Sequence, residues 1–138
     1  MDSLKKLSAL MLSKEDPYFN HSFKVRFCRT GKKAMRELAV MLRLTKVDVH
    51  FNHAGPACSG DLTLMGMWSE GNGIYITMNK DQFHSNPQFN VLYRTITNMR
   101  DFTGGTNRYF TFETLANHDK LLYTLLSLNK NIELPQER

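Results

Sequence analysis

Three apolar runs with a period of two occupy the middle of the chain. Val47, Val49 and Phe51 alternate with Asp48, His50 and Asn52. Leu62 and Leu64 lead toward Trp68, and Ile74, Ile76 and Met78 follow. Successive side chains of a strand point to opposite faces, so each run makes one buried and one wetter face. The second and third runs are joined by Ser69-Glu70-Gly71-Asn72-Gly73. Asn and Gly tolerate the positive φ of a tight hairpin turn. The short gaps between runs leave little room for the crossover helices that a parallel sheet needs, so the sheet is expected to be mostly antiparallel. Gly66, inside the second run, reads as a bulge. Val91 to Thr97 and Arg108 to Phe112 read as further strands. Asn79 to Asn90 is polar, contains Pro87, and reads as a loop or a single helical turn.

Helical spacing governs the two ends. Leu4, Leu7, Leu10 and Met11 make a stripe over residues 4–13, with Asp2 or Ser3 as a cap and Asp16-Pro17 as a stop. Phe23, Val25 and Phe27 alternate with Lys24, Arg26 and Cys28, which predicts a strand whose wet face is basic. Thr30-Gly31 reads as the turn after it. Lys32 to Leu44 reads as a helix with Met35, Leu38 and Leu42 inward, and Leu115 to Leu128 as a closing helix. Residues 129–138 read as a polar, fraying tail. The elements together predict one compact α+β domain spanning residues 1–138. Its mostly antiparallel sheet has about four to six strands, with two or three helices packed on one face.

Composition supports a folded domain. The 138 residues are 41% hydrophobic and 22% charged, enough apolar content for a core. No apolar run approaches the roughly 18 residues of a membrane span. The N-terminal MDSLKKLSALMLSK is amphipathic and lacks the apolar stretch of a secretory signal, so a cytoplasmic location without membrane contact is expected. Two cysteines, Cys28 and Cys58, make neither a disulfide scaffold nor a four-thiolate zinc site.

The formal charge is +5, unevenly spread. Residues 1–49 hold 11 basic and 5 acidic residues, while the remainder holds 7 and 8. Between Lys24 and Lys46 there are eight basic residues and one acid, Glu37. Clustering raises the local potential beyond what the net charge suggests. Lys24, Arg26, Arg29, Lys32, Lys33 and Arg36 form the predicted basic face, and a merely solvated face is the plain alternative.

Three groups of residues carry candidate chemistry. Tyr93-Arg94-Thr95 and the run Arg100-Asp101-Phe102-Thr103-Gly104-Gly105-Thr106-Asn107-Arg108-Tyr109 combine arginines, threonines, aromatics and a Gly-Gly pair. Glycines let backbone N–H groups converge on an anion, arginine forks suit phosphate, and rings stack on bases. Arg94, Arg100, Gly104, Gly105, Thr106, Asn107, Arg108 and Tyr109 are therefore the expected phosphate-binding residues, with a turn braced by Asp101 and a neighbouring arginine as the plain alternative. Cys58, in a small-residue loop near His50 and His53, is a weaker candidate nucleophile, since a thiolate needs a base or a positive neighbour. The same histidines with Cys58 and Asp61 match no recognised metal spacing, and neither a metal nor a cofactor is expected. No P-loop, dinucleotide fingerprint or paired-carboxylate motif occurs.

These observations favour a small basic binding protein, without catalysis, for nucleic acid or a phosphate-bearing nucleotide. The alternative is a protein-binding inhibitor or accessory protein, of the phage or mobile-element anti-defence kind, docking on a nucleic-acid-handling enzyme. A cysteine-dependent hydrolase using Cys58, His50 and His53 is a third reading. A second copy of the chain is also admitted as a partner.

Overall fold

The computed structural model describes residues 2–53, 55–81, 86–102 and 105–131. Helix α1 is Asp2–Leu12 and helix α2 is His21–Met41. Strands β1 (Lys46–Asn52), β2 (Asp61–Ser69), β3 (Asn72–Met78), β4 (Val91–Ile96) and β5 (Arg108–Phe110) follow, then helix α3 (His118–Leu126). Single 3₁₀ turns occupy Pro87–Phe89 and Phe112–Ala116. The strands form one antiparallel meander in the order β1-β2-β3-β4-β5. This is an α+β domain. None of the described helices is long and apolar enough to cross a membrane.

The register puts one set of side chains from every strand on the same face. Phe51, Leu62, Met78, Val91 and Phe110 stand opposite one another in sequence across the sheet, as do Val49, Leu64, Ile76 and Tyr93. Most of this set packs with Phe23, Phe27, Ala34, Met35 and Leu38 of α2 and Leu4, Leu7 and Met11 of α1. The β2–β3 hairpin turns at Glu70-Gly71, with Gly71 at φ 72°. Removal of these apolar faces from water is the dominant favourable term.

The predicted basic strand is not a strand. Phe23 to Arg29 is the first third of α2, and Thr30-Gly31 lies inside the helix. Phe23 and Phe27 are four residues apart, which serves one helical face as well as one strand face. The helix is started by Asn20, whose side chain accepts the Phe23 N–H at 3.0 Å. Gly31 is there for close approach: a Cβ would stand 2.7 Å from Leu62 Cδ2 of β2.

Other boundaries also move. The β2 irregularity falls between Met67 and Ser69, not at Gly66. Gly66 instead lets Leu44 close over the sheet, since a Cβ would lie 2.9 Å from the Lys46 carbonyl oxygen and nearer still to Leu44 Cδ1. The predicted closing helix breaks at Asn117, which caps α3 by accepting the Lys120 N–H. Asn129–Asn131 do not fray: Asn72 of the hairpin bonds Asn129 Oδ1 at 2.8 Å and accepts the Lys130 N–H at 3.1 Å. The rest of the expected tail, 132–138, lies outside the described residues.

On the sheet face away from the helices, Met65, Met67 and Ile96 form a second small cluster with Tyr75 and Met99. The segment after β4 folds across this face to supply Met99.

Candidate functional site

Helix α2 sorts its cations by position. Gly31 marks the side against β2, and Glu37, which accepts from Ser3 Oγ at 3.1 Å, marks the side against α1. At 100° per residue, Arg29, Lys33 and Arg36 fall opposite Gly31, with Lys33 one turn before Glu37, and all three are exposed. Lys32 lies half-buried on the flank toward β1. None of these four has an acidic partner or a side-chain hydrogen bond among the described residues. Arg26, at the N-terminal end of the stripe, is paired with Glu15. That contact holds the Glu15 carboxyl below the usual carboxylate range and raises the Arg26 guanidinium.

Lys24 departs from the predicted basic face. It is buried, and its ammonium donates to the carbonyl oxygens of His53, at 3.3 Å, and of Gly55. It fastens the loop after β1 to the first turn of α2. Lys80 is a second such fastening. It donates to Glu15 O at 2.9 Å and Ser13 Oγ at 3.0 Å and lies over the Phe23 ring. Burial lowers its pKa.

The arginines around the glycine pair are divided. Arg94 is 3% exposed. Its guanidinium lies 4.8 Å from the Tyr75 ring centre and donates to Asp101 O at 2.9 Å and Thr95 O at 3.2 Å, with Asp101 Oδ1 at 3.9 Å. Asp101 Oδ2 also accepts the Thr97 N–H at 3.0 Å. Arg94 therefore fastens the segment after β4 to the sheet, and its fork is committed to protein groups. Gly105, at φ 79°, backs onto β4, where a Cβ would lie 2.7 Å from Thr95 O. Arg100, Thr106, Asn107 and Arg108 are exposed, and Tyr109 packs edge-on against Phe89. Thr103 and Gly104 lie outside the described residues.

Arg94 sits on the sheet face away from the helices, whereas the α2 stripe points outward from the helix layer. The sheet stands between them. The structure does not bring Arg94 and the predicted basic face together.

The histidines diverge as well. His50 lies on the helix-free face with Nδ1 3.5 Å from Asp48 Oδ2. His53 packs edge-on against Phe51, on the helix side. No hydrogen bond joins Cys58 to either, and no group of three or more His, Cys, Asp or Glu among the described residues is placed to hold a metal.

One feature escapes sequence reasoning. Phe19, 78% exposed and at φ 55°, stands over a cleft of about 380 Å³ with Asn20, His21, Lys24, His53, Gly55 and Pro56. Its N–H donates to Pro56 O at 2.7 Å, which ties the turn before α2 to the loop after β1. Nothing in Tyr18-Phe19-Asn20 signals a left-handed phenylalanine, because β-turn chemistry assigns that backbone to Gly or Asn. Comparison with protein-family models, with curated proteins and with solved structures yields no match.

Proposed function

We propose that this protein binds a polyanion of the nucleic-acid type, without catalysis, through the outer face of α2. The observation that carries the reading is the row Arg29, Lys33 and Arg36. These cations share one exposed helical face and have no acidic partner among the described residues. At 1.5 Å rise per residue, Arg29 and Arg36 stand about 10 Å apart along the axis. That length matches consecutive phosphates of a strand better than one mononucleotide, and a convex helix surface gives a single nucleotide little to enclose. Lys32 on the flank would add a fourth contact.

The test is fluorescence anisotropy with labelled duplex and single-stranded oligonucleotides over a salt series. Three phosphate contacts give a slope of about −2.7 in log K against log salt, so affinity falls about 40-fold between about 50 and 200 mM. Arg29→Ala, Lys33→Ala and Arg36→Ala each lower the slope by about 0.9, while Arg100→Ala and Arg108→Ala leave it unchanged. A triple α2 variant that binds with the parental slope overturns the reading.

One observation favours a protein partner. Val40, 77% exposed, lies one turn beyond Arg36 on the same stripe. An apolar residue beside a cation row suits an acidic protein surface, as an accessory protein docking on a nucleic-acid-handling enzyme requires. A stoichiometric complex that survives nuclease treatment and is lost on Val40→Glu selects that reading.

A further inference from the structure

Strand β1 ends the sheet, and its outer edge pairs with no described strand. It is seven residues long and runs in unbroken register with β2 from Lys46 to Asn52. Lys46, Val47, Asp48 and His50 are exposed, and Val47 retains 46% of its surface. Edge strands are commonly blunted by charged side chains, by proline, by a bulge or by great shortness, and β1 has only the first, in Lys46 and Asp48.

The strand is also self-complementary. Antiparallel pairing of two copies that keeps Val47, Val49 and Phe51 on one face allows two-fold axes at residues 48, 49 or 50 near its centre. An axis at Asp48 sets two carboxylates opposite each other and Lys46 against His50. An axis at His50 opposes two imidazoles. The axis at Val49 places each Asp48 opposite the partner copy's imidazole and each Val47 opposite the partner copy's Phe51 ring. Opposite charges and apolar pairs across strands stabilise, and like charges destabilise. Within one chain Asp48 Oδ2 stands 3.5 Å from His50 Nδ1.

We infer that β1 is a self-association edge, through which two copies join antiparallel about Val49 into one continuous sheet. The axis stands perpendicular to the sheet, so both α2 helices lie on the same side. Their Lys32 and Arg36 flanks face each other, and this repulsion opposes the pairing. A single pair of edges also buries less than the roughly 1,200 Å² of a standard interface. The expected dissociation constant is therefore in the range of about 10–500 µM. Pairing through β1 needs no polyanion.

Sedimentation equilibrium of the full chain, up to about 1 mM and without nucleic acid, tests it. The chain is expected to dimerise with concentration. Val47→Lys, at an exposed position, gives a monomer with unchanged circular dichroism and melting temperature. Asp48→His alone opposes imidazoles and weakens the dimer about tenfold. The double exchange Asp48→His with His50→Asp restores the opposite pairs and the parental affinity, which a purely structural role would not. A monomer at every concentration overturns the inference, as does a dimer indifferent to Val47→Lys and to the single exchange.

Discussion

Replacing Arg94 by Met should destabilise the protein substantially, because Arg94 is a buried cation engaged by protein groups. Its bond to Asp101 O, at 2.9 Å, is charge-assisted, and such bonds contribute about 1.5–3 kcal/mol. A desolvated cation over a tyrosine ring adds about 1–2 kcal/mol. The approach to Asp101 Oδ1, at 3.9 Å, adds little, and methionine retains part of the contact with Tyr75. Asp101 is not left stranded, since it keeps the Thr97 N–H and hydroxyl, so the loss stays at the lower end of the range for broken buried pairs. The sum is about 3 kcal/mol, a fall of roughly 10 °C in Tm for a domain of this size. Arg94→Lys should recover part of it, because lysine keeps the charge but not the fork. Urea melts give the stability, and amide exchange at Thr97 and Asp101 reports whether the segment after β4 has come loose. An Arg94→Met variant that melts within about 2 °C of the parent, with Thr97 still protected, would refute the assignment of Arg94 as a fastening.

Two further outcomes follow from local geometry. Gly73→Ala should cost about 1–3 kcal/mol in urea melts, because a Cβ would meet Met67 Sδ and lie 2.6 Å from the backbone Gly66 O, which has no rotamer with which to yield. For Glu15, the Arg26 hydrogen bond lowers the folded-state pKa, so its stabilising contribution is present above the ordinary glutamate pKa and is lost as pH falls through the lowered value. The stability gap between the parent and Glu15→Gln should thus be open at neutral pH and closed in strong acid, and a gap of constant size across an acid titration would count against the pair.

The sheet was legible because burial of one face imposes a period of two, and that period is written directly in Val47/Val49/Phe51, Leu62/Leu64 and Ile74/Ile76/Met78. The start of α2 was not legible for a related reason. Phe23, Val25 and Phe27 satisfy the strand period, while Phe23 and Phe27 alone satisfy the helical one, and over so short a window the two are degenerate. What separates them lies further on: Ala34, Met35 and Leu38 continue the face of Phe23 and Phe27 only at 3.6 residues per turn. Gly31 hid that continuity. Glycine marks a turn through its own backbone freedom, but here it marks the crossing of a helix over Leu62, a tertiary contact.

Charge was legible as an amount along the chain and not as a surface. Lys24 and Arg36 look alike in sequence, yet Lys24 is spent on the carbonyls of the β1 loop while Arg36 faces outward. Arg94 and Arg108 differ in the same way across the sheet. A cation's role depends on whether acceptors have already been brought to it: for Lys24 they come from 29 and 31 residues away, and for Arg94 from seven residues on, across the turn after β4. Subtracting buried Lys24 and paired Arg26 from the predicted basic face leaves Arg29, Lys32, Lys33 and Arg36, confined to one side of α2. That confinement makes the binding proposal sharp, because Arg29, Lys33 and Arg36 can be neutralised without touching a described hydrogen bond, so a loss of binding in those variants would report recognition and not unfolding.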